Sequence, residues 1–96
     1  MAMVPTKRAD TPIMVCKLNL NHVHRVEGQE RLDFSAVAKS GSYPEDGRDD
    51  DNTYAKFSPQ AHFEITVANP DLFAKLDPGK KYYFVCYEAV PMDPVE

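Results

Sequence analysis

A chain of 96 residues, 43% hydrophobic and 27% charged, has the length and composition of one globular domain with a modest core. Its net charge of -4 argues against a polyanion as the main partner, and no run reaches the apolar length of a membrane-spanning helix. Lys7 and Arg8 near the start are followed by no long apolar region, so the expectation is a protein without a secretory signal that is made in a bacterial host cytoplasm.

Residues 1–12 read as an extended arm, because Pro5 and Pro12 bracket a polar stretch without strand or helix periodicity. From Ile13 to Val26 the pattern changes. Met14, Cys16, Leu18 and Leu20 alternate with Val15, Lys17, Asn19 and Asn21, the period of a half-buried strand. Gly28 supplies a turn, and alternation resumes from Glu30 to Lys39. Leu32, Phe34, Ala36 and Ala38 fall on one side, with Arg31, Asp33 and Ser35 on the other. An antiparallel hairpin follows.

Ser40 to Asn52 is a polar, acidic loop, and Thr53 to Phe57 reads as a short strand. His62 to Ala68 alternates clearly, with Phe63, Ile65 and Val67 against His62, Glu64 and Thr66. Asn69-Pro70-Asp71 has the order of a helix start: an N-cap, a proline in the first turn and an acid beside it. Asp77-Pro78-Gly79 would stop that helix after Leu76. Lys81 to Ala89 is the last strand. Tyr82, Phe84 and Cys86 line one side and Tyr83, Val85 and Tyr87 the other, so both faces are apolar and the strand is expected to be central or covered on both sides. Residues 91–96, with Pro91 and Pro94, form a tail. The domain therefore runs over 13–90. Its expected fold is mainly β, a small antiparallel barrel or sandwich with one short helix, in an order that loosely resembles an OB-fold.

Cys16 and Cys86 lie in separate apolar strands without CxxC spacing, which fits two buried free thiols. Should those strands be neighbours, the thiols approach each other. His22-x-His24 places two imidazoles on one strand face, a spacing that can hold zinc with His62 or an acid as a further ligand. Surface histidines at a strand end are the simpler reading, since a closed zinc site needs four placed ligands, and the expectation is no metal. The run from Glu45 to Asn52 lacks the ligand order of a calcium loop and reads as solvated. No nucleophile elbow, phosphate cradle or zinc-protease motif occurs, and the expectation is a protein that is not an enzyme and carries no cofactor. Tyr82, Tyr83 and Tyr87 beside Lys80 and Lys81 offer surfaces for base stacking, but no basic stripe accompanies them.

The segments Leu32-Asp33-Phe34-Ser35-Ala36-Val37, Phe63-Glu64-Ile65-Thr66-Val67-Ala68-Asn69-Pro70 and Pro78-Gly79-Lys80-Lys81-Tyr82-Tyr83 resemble a group of small proteins of tailed bacteriophages and prophages. The similarity covers roughly residues 13–88 and rests on a helix cap and a turn, so it implies ancestry more than activity. It implies a phage structural protein, foremost a capsid decoration or cement protein located in the virion, many copies binding capsid or other virion proteins. The alternative is a cytoplasmic phage factor, either an inhibitor of host defence or a single-strand-binding accessory. In the first setting Val4, Pro5 and Pro12 of the arm and the tyrosines Tyr83 and Tyr87 are the expected partner contacts.

Overall fold

The structure is a computed structural model, and it describes residues 6–91. Four strands form one antiparallel sheet: β1 (Thr6–Val26), β2 (Gln29–Ala36), β3 (His62–Val67) and β4 (Lys81–Pro91), in spatial order β3-β2-β1-β4. The expected mainly β, antiparallel domain is therefore observed. Its form is a sheet curled into a half-barrel, whose edges β3 and β4 share no ladder.

The alternation sets the inner face. Leu18 and Leu20 of β1 meet Leu32 and Phe34 of β2, and these four side chains are the buried apolar core. Each contributes about 1.5–3 kcal/mol through burial. Phe34 organises the aromatic layer above them: Phe84 packs edge-on at 4.9 Å, Phe63 lies at 5.9 Å and Tyr82 at 6.4 Å. Phe63 and Phe84 also meet at 5.0 Å, so the inner faces of the two edge strands touch across the half-barrel.

A bulge at Asn21 changes the facing of β1. Before it, Leu20 opposes Phe34; after it, His22 opposes Asp33. One extra residue reverses inside and outside. Val23 consequently packs on the core, while His22 and His24 share the outer face with Asp33. Unbroken alternation would have sent both histidines inward.

Four expectations are revised. The part of the expected arm that is described, from Thr6 onward, is strand: Thr6 to Arg8 pair with Pro91 to Ala89, and Pro12 with Tyr87. Register shifts between Arg8 and Pro12, and again between Pro12 and Met14, erase the period that would have revealed it. Val4 and Pro5 lie outside the described residues, as does the tail beyond Pro91. Thr53 to Phe57 is not a strand; it holds turns and an isolated bridge between Lys56 and Arg48.

The expected helix is a single 3-10 turn, Pro70–Leu72. Its cap is as read: the Asn69 side chain accepts the Asp71 N–H at 3.0 Å. Phe73 is already extended, and Ala74 has φ 61. The backbone N–H of Ala74 is taken instead by the buried carboxylate of Glu30, which also binds the Arg25 guanidinium at 2.8 Å. A long-range partner thus replaces the next helical hydrogen bond.

The fourth revision concerns β4. Apolar on both faces, it was expected to be covered on both, yet it stands at the sheet edge with Tyr83 59% and Val85 44% exposed. The radius of gyration is 16.9 Å, against about 12–13 Å for a compact chain of this length. The excess reflects the long β1–β4 ribbon.

Candidate functional site

The acidic loop is built inward. Asn52 and Asp49 are buried. The Asn52 carbonyl oxygen accepts the Lys17 N–H at 2.8 Å, and its amide donates to the Val37 carbonyl at 2.7 Å and to Asp49 at 3.2 Å. Thr53 completes the contact, exchanging hydrogen bonds with Val15. The loop thereby caps the free edge of β1 where β2 has ended. Burial pushes the Asp49 carboxyl up, but hydrogen bonds from the Asn52 side chain and from backbone N–H groups of Asp51, Asn52 and Lys39 outweigh it and hold the pKa below the ordinary range. Asp51 stays nearer the surface, where it accepts from Lys17 at 3.2 Å and from the Tyr83 hydroxyl at 2.9 Å.

Two surface features remain. The first is apolar and belongs to the β1–β4 ribbon. Ile13 is 68% exposed, and Val85, which opposes Val15, is exposed beside Tyr83 on the same face. On the inner side, a cleft of about 210 Å³ opens between the edges, lined by Cys16, Leu18, Ala61, Phe63, Phe84 and Cys86. Burial raises the Cys16 thiol, with Cys86 adding a smaller push. Both cysteines are free. Cys16 opposes Phe84 and Cys86 opposes Met14, so the thiols are diagonal neighbours on one face.

Of the expected contact residues, Pro12, Tyr83 and Tyr87 all come to this ribbon. They are not equally free. The Arg8 guanidinium lies 4.1 Å over the Tyr87 ring, and the Tyr83 hydroxyl is tied to Asp51. Tyr82 is inward, its hydroxyl accepting the Asp77 N–H at 2.9 Å. Ile13, Val85 and, to a lesser degree, Met14 also leave apolar atoms open here, and periodicity alone singles out none of them as contacts.

The second feature is polar and lies on the outer face of β1, β2 and β3. It gathers every histidine of the chain: His22, His24 and His62. The His22 and His24 rings are 5.8 Å apart and tilted. Their association with His62 is not direct. His62 instead joins Asp33 and Glu64, with ligand atoms of the three within 4.8 Å of one another. His24 Nε2 lies 3.3 Å from Asp33 Oδ2. Asp33 and Glu64, which sequence reading passed over as ligands, stand on adjacent strands directly opposite each other. Their outward facing was legible from alternation, but their register was not.

No helix among the described residues is long and apolar enough to cross a membrane. Comparison with family models, curated proteins and solved structures gives no match for this chain.

Proposed function

We propose that this chain is a non-catalytic protein-docking domain and that it works as a decoration or cement protein on the capsid of a tailed phage. The observation that carries the docking role is β4: a strand apolar on both faces, standing at a sheet edge with Val85 and Tyr83 exposed, in a ribbon whose other strand exposes Ile13. Exposed apolar area next to an unpaired strand edge is a surface that a neighbouring protein stabilises by covering it. An extended ribbon reaches further from its own core than a compact domain does. Repetition on a symmetric shell lets a modest contact per copy hold firmly through avidity.

The virion setting is supported by the resemblance of residues 13–88 to small phage proteins, and it requires no catalytic group. Mass spectrometry of purified particles tests the setting. The chain is expected among the virion proteins in many copies. Its absence from clean particles would overturn the virion role and favour a cytoplasmic phage factor.

A further inference from the structure

We propose that Asp33, His62 and Glu64 bind one divalent transition-metal ion, of the zinc class, on the outer face of β2 and β3. Three independent observations converge on it. Asp33 and Glu64 are directly opposite in the β2–β3 ladder, an arrangement of like charges that is unfavourable when nothing lies between them. No lysine or arginine among the described residues pairs with either carboxylate. Arg31, one step along the same face, opposes Thr66 and forms no such bridge.

The second observation is an orphan atom. Asp33 Oδ1 is buried, in a side chain only 17% exposed overall, and has no hydrogen-bond partner among the described residues. A buried carboxylate oxygen without a partner is costly, and a cation satisfies it directly. The third is the imidazole of His62, two residues before Glu64 and therefore on the same face. One nitrogen and two carboxylate donors suit zinc and its neighbours, whereas calcium and magnesium prefer oxygen alone. Two carboxylates and a neutral imidazole also balance a doubly charged ion.

His24 acts on this site as a positioning residue. Its Nε2 sits against Asp33 Oδ2, leaving Oδ1 as the ligand atom, the arrangement in which an outer partner orients a ligating carboxylate. The bulge at Asn21 is what brings His24 to that face. His62 and Glu64 are exposed, so water reaches the site from their side and fills the remaining coordination positions. The proposal is independent of the docking role, because it concerns a different face.

Calorimetric titration of the tag-free full chain with zinc chloride tests it. One saturable zinc per chain is expected, with a rise in melting temperature, and no comparable binding of calcium. His62→Ala, at an exposed position, should weaken zinc by about tenfold or more, and His22→Ala should leave it unchanged. Asp33→Asn should abolish zinc binding while leaving the metal-free melting temperature equal or higher, since it removes the repulsion. Absence of saturable zinc binding, or unchanged affinity in His62→Ala, would overturn the site. Equal loss in His22→Ala would assign the metal to the His22–His24 pair instead and overturn the ligand set proposed here.

Discussion

The carboxylate of Glu30, buried at the start of β2, accepts the backbone N–H of Ala74 at 3.2 Å, joining positions 44 residues apart. The same oxygen takes two hydrogen bonds from Arg25. One side chain therefore ties the β1–β2 hairpin to the connection between β3 and β4. Glu30→Ala leaves the Ala74 N–H without its partner and should cost about 1–3 kcal/mol. In a domain of this size that lowers the melting temperature by roughly 4–8 °C for each kcal/mol. Calorimetry of the variant checks this, and an unchanged transition would mean the connection is held by other contacts.

Asn52 and Asp49 should carry the loop. Asn52→Ala removes three side-chain hydrogen bonds at a fully buried position, to Lys17, Val37 and Asp49. The expected loss is about 2–4 kcal/mol, read from urea unfolding, because the stranded backbone groups keep their desolvation cost.

The pH dependence of the loop follows from Asp49. Its pKa is depressed in the folded chain, so its contribution is fully present above the unfolded aspartate value of about 3.9 and is lost as pH falls through the lower folded value. Urea midpoints measured from neutral pH downward should show this acid limb. In Asp49→Asn the limb should be smaller, because the titrating group is gone. An identical acid slope in the variant would place the effect on other carboxylates.

Gly47 should resist substitution. Its φ is +74, and a Cβ there would run into the ring of Phe57. Gly41 has a similar φ of +86 but open space around it. Both alanine variants carry the left-handed penalty, of about 1 kcal/mol, and Gly47→Ala adds a steric cost of about 1–3 kcal/mol. Phe57→Ala should relieve that second part in the double variant. Equal destabilisation of the two glycine variants would show that the ring moves aside freely.

Cys16 and Cys86 should remain thiols. As diagonal neighbours they sit about 7–8 Å apart at the backbone, beyond the usual disulfide span. Intact mass after denaturing alkylation without reductant should show two labels per chain. Labelling of the native protein should be slow at Cys16, whose thiol burial pushes up. A mass two hydrogens lighter with no label would contradict this.

The strands were legible because each has one face on the core, and a half-buried strand prints a period of two. Leu18 and Leu20, and Leu32 and Phe34, are where alternation placed them. The beginning of β1 was not legible, because Pro12 and two register shifts break the period there. The helix is shorter than its start signal predicts: Asn69 and Pro70 do start a turn, but Glu30 captures Ala74 from far along the chain, and no local pattern records that. The same limit applies to the sites. Alternation turns Asp33, His62 and Glu64 outward, yet only strand pairing brings them together. In β1, the bulge at Asn21 decides on which side of the sheet His24 stands.

On the proposed function, the exposed apolar atoms of the β1–β4 ribbon dock the domain onto a protein shell. Co-sedimentation of the purified chain with phage particles lacking it tests this most directly. Val85→Lys and Ile13→Lys place a charge on exposed atoms of that ribbon and should leave the circular dichroism spectrum unchanged. Val26→Lys is the control, because Val26 is 60% exposed but lies at the far end of β1, beside the hairpin turn. Saturable sedimentation is expected of the wild-type chain and of Val26→Lys, with binding weakened about tenfold or more in the ribbon variants, as for loss of an apolar anchor. Wild-type chain that stays in the supernatant, or ribbon variants that sediment as fully as the wild type, would contradict it.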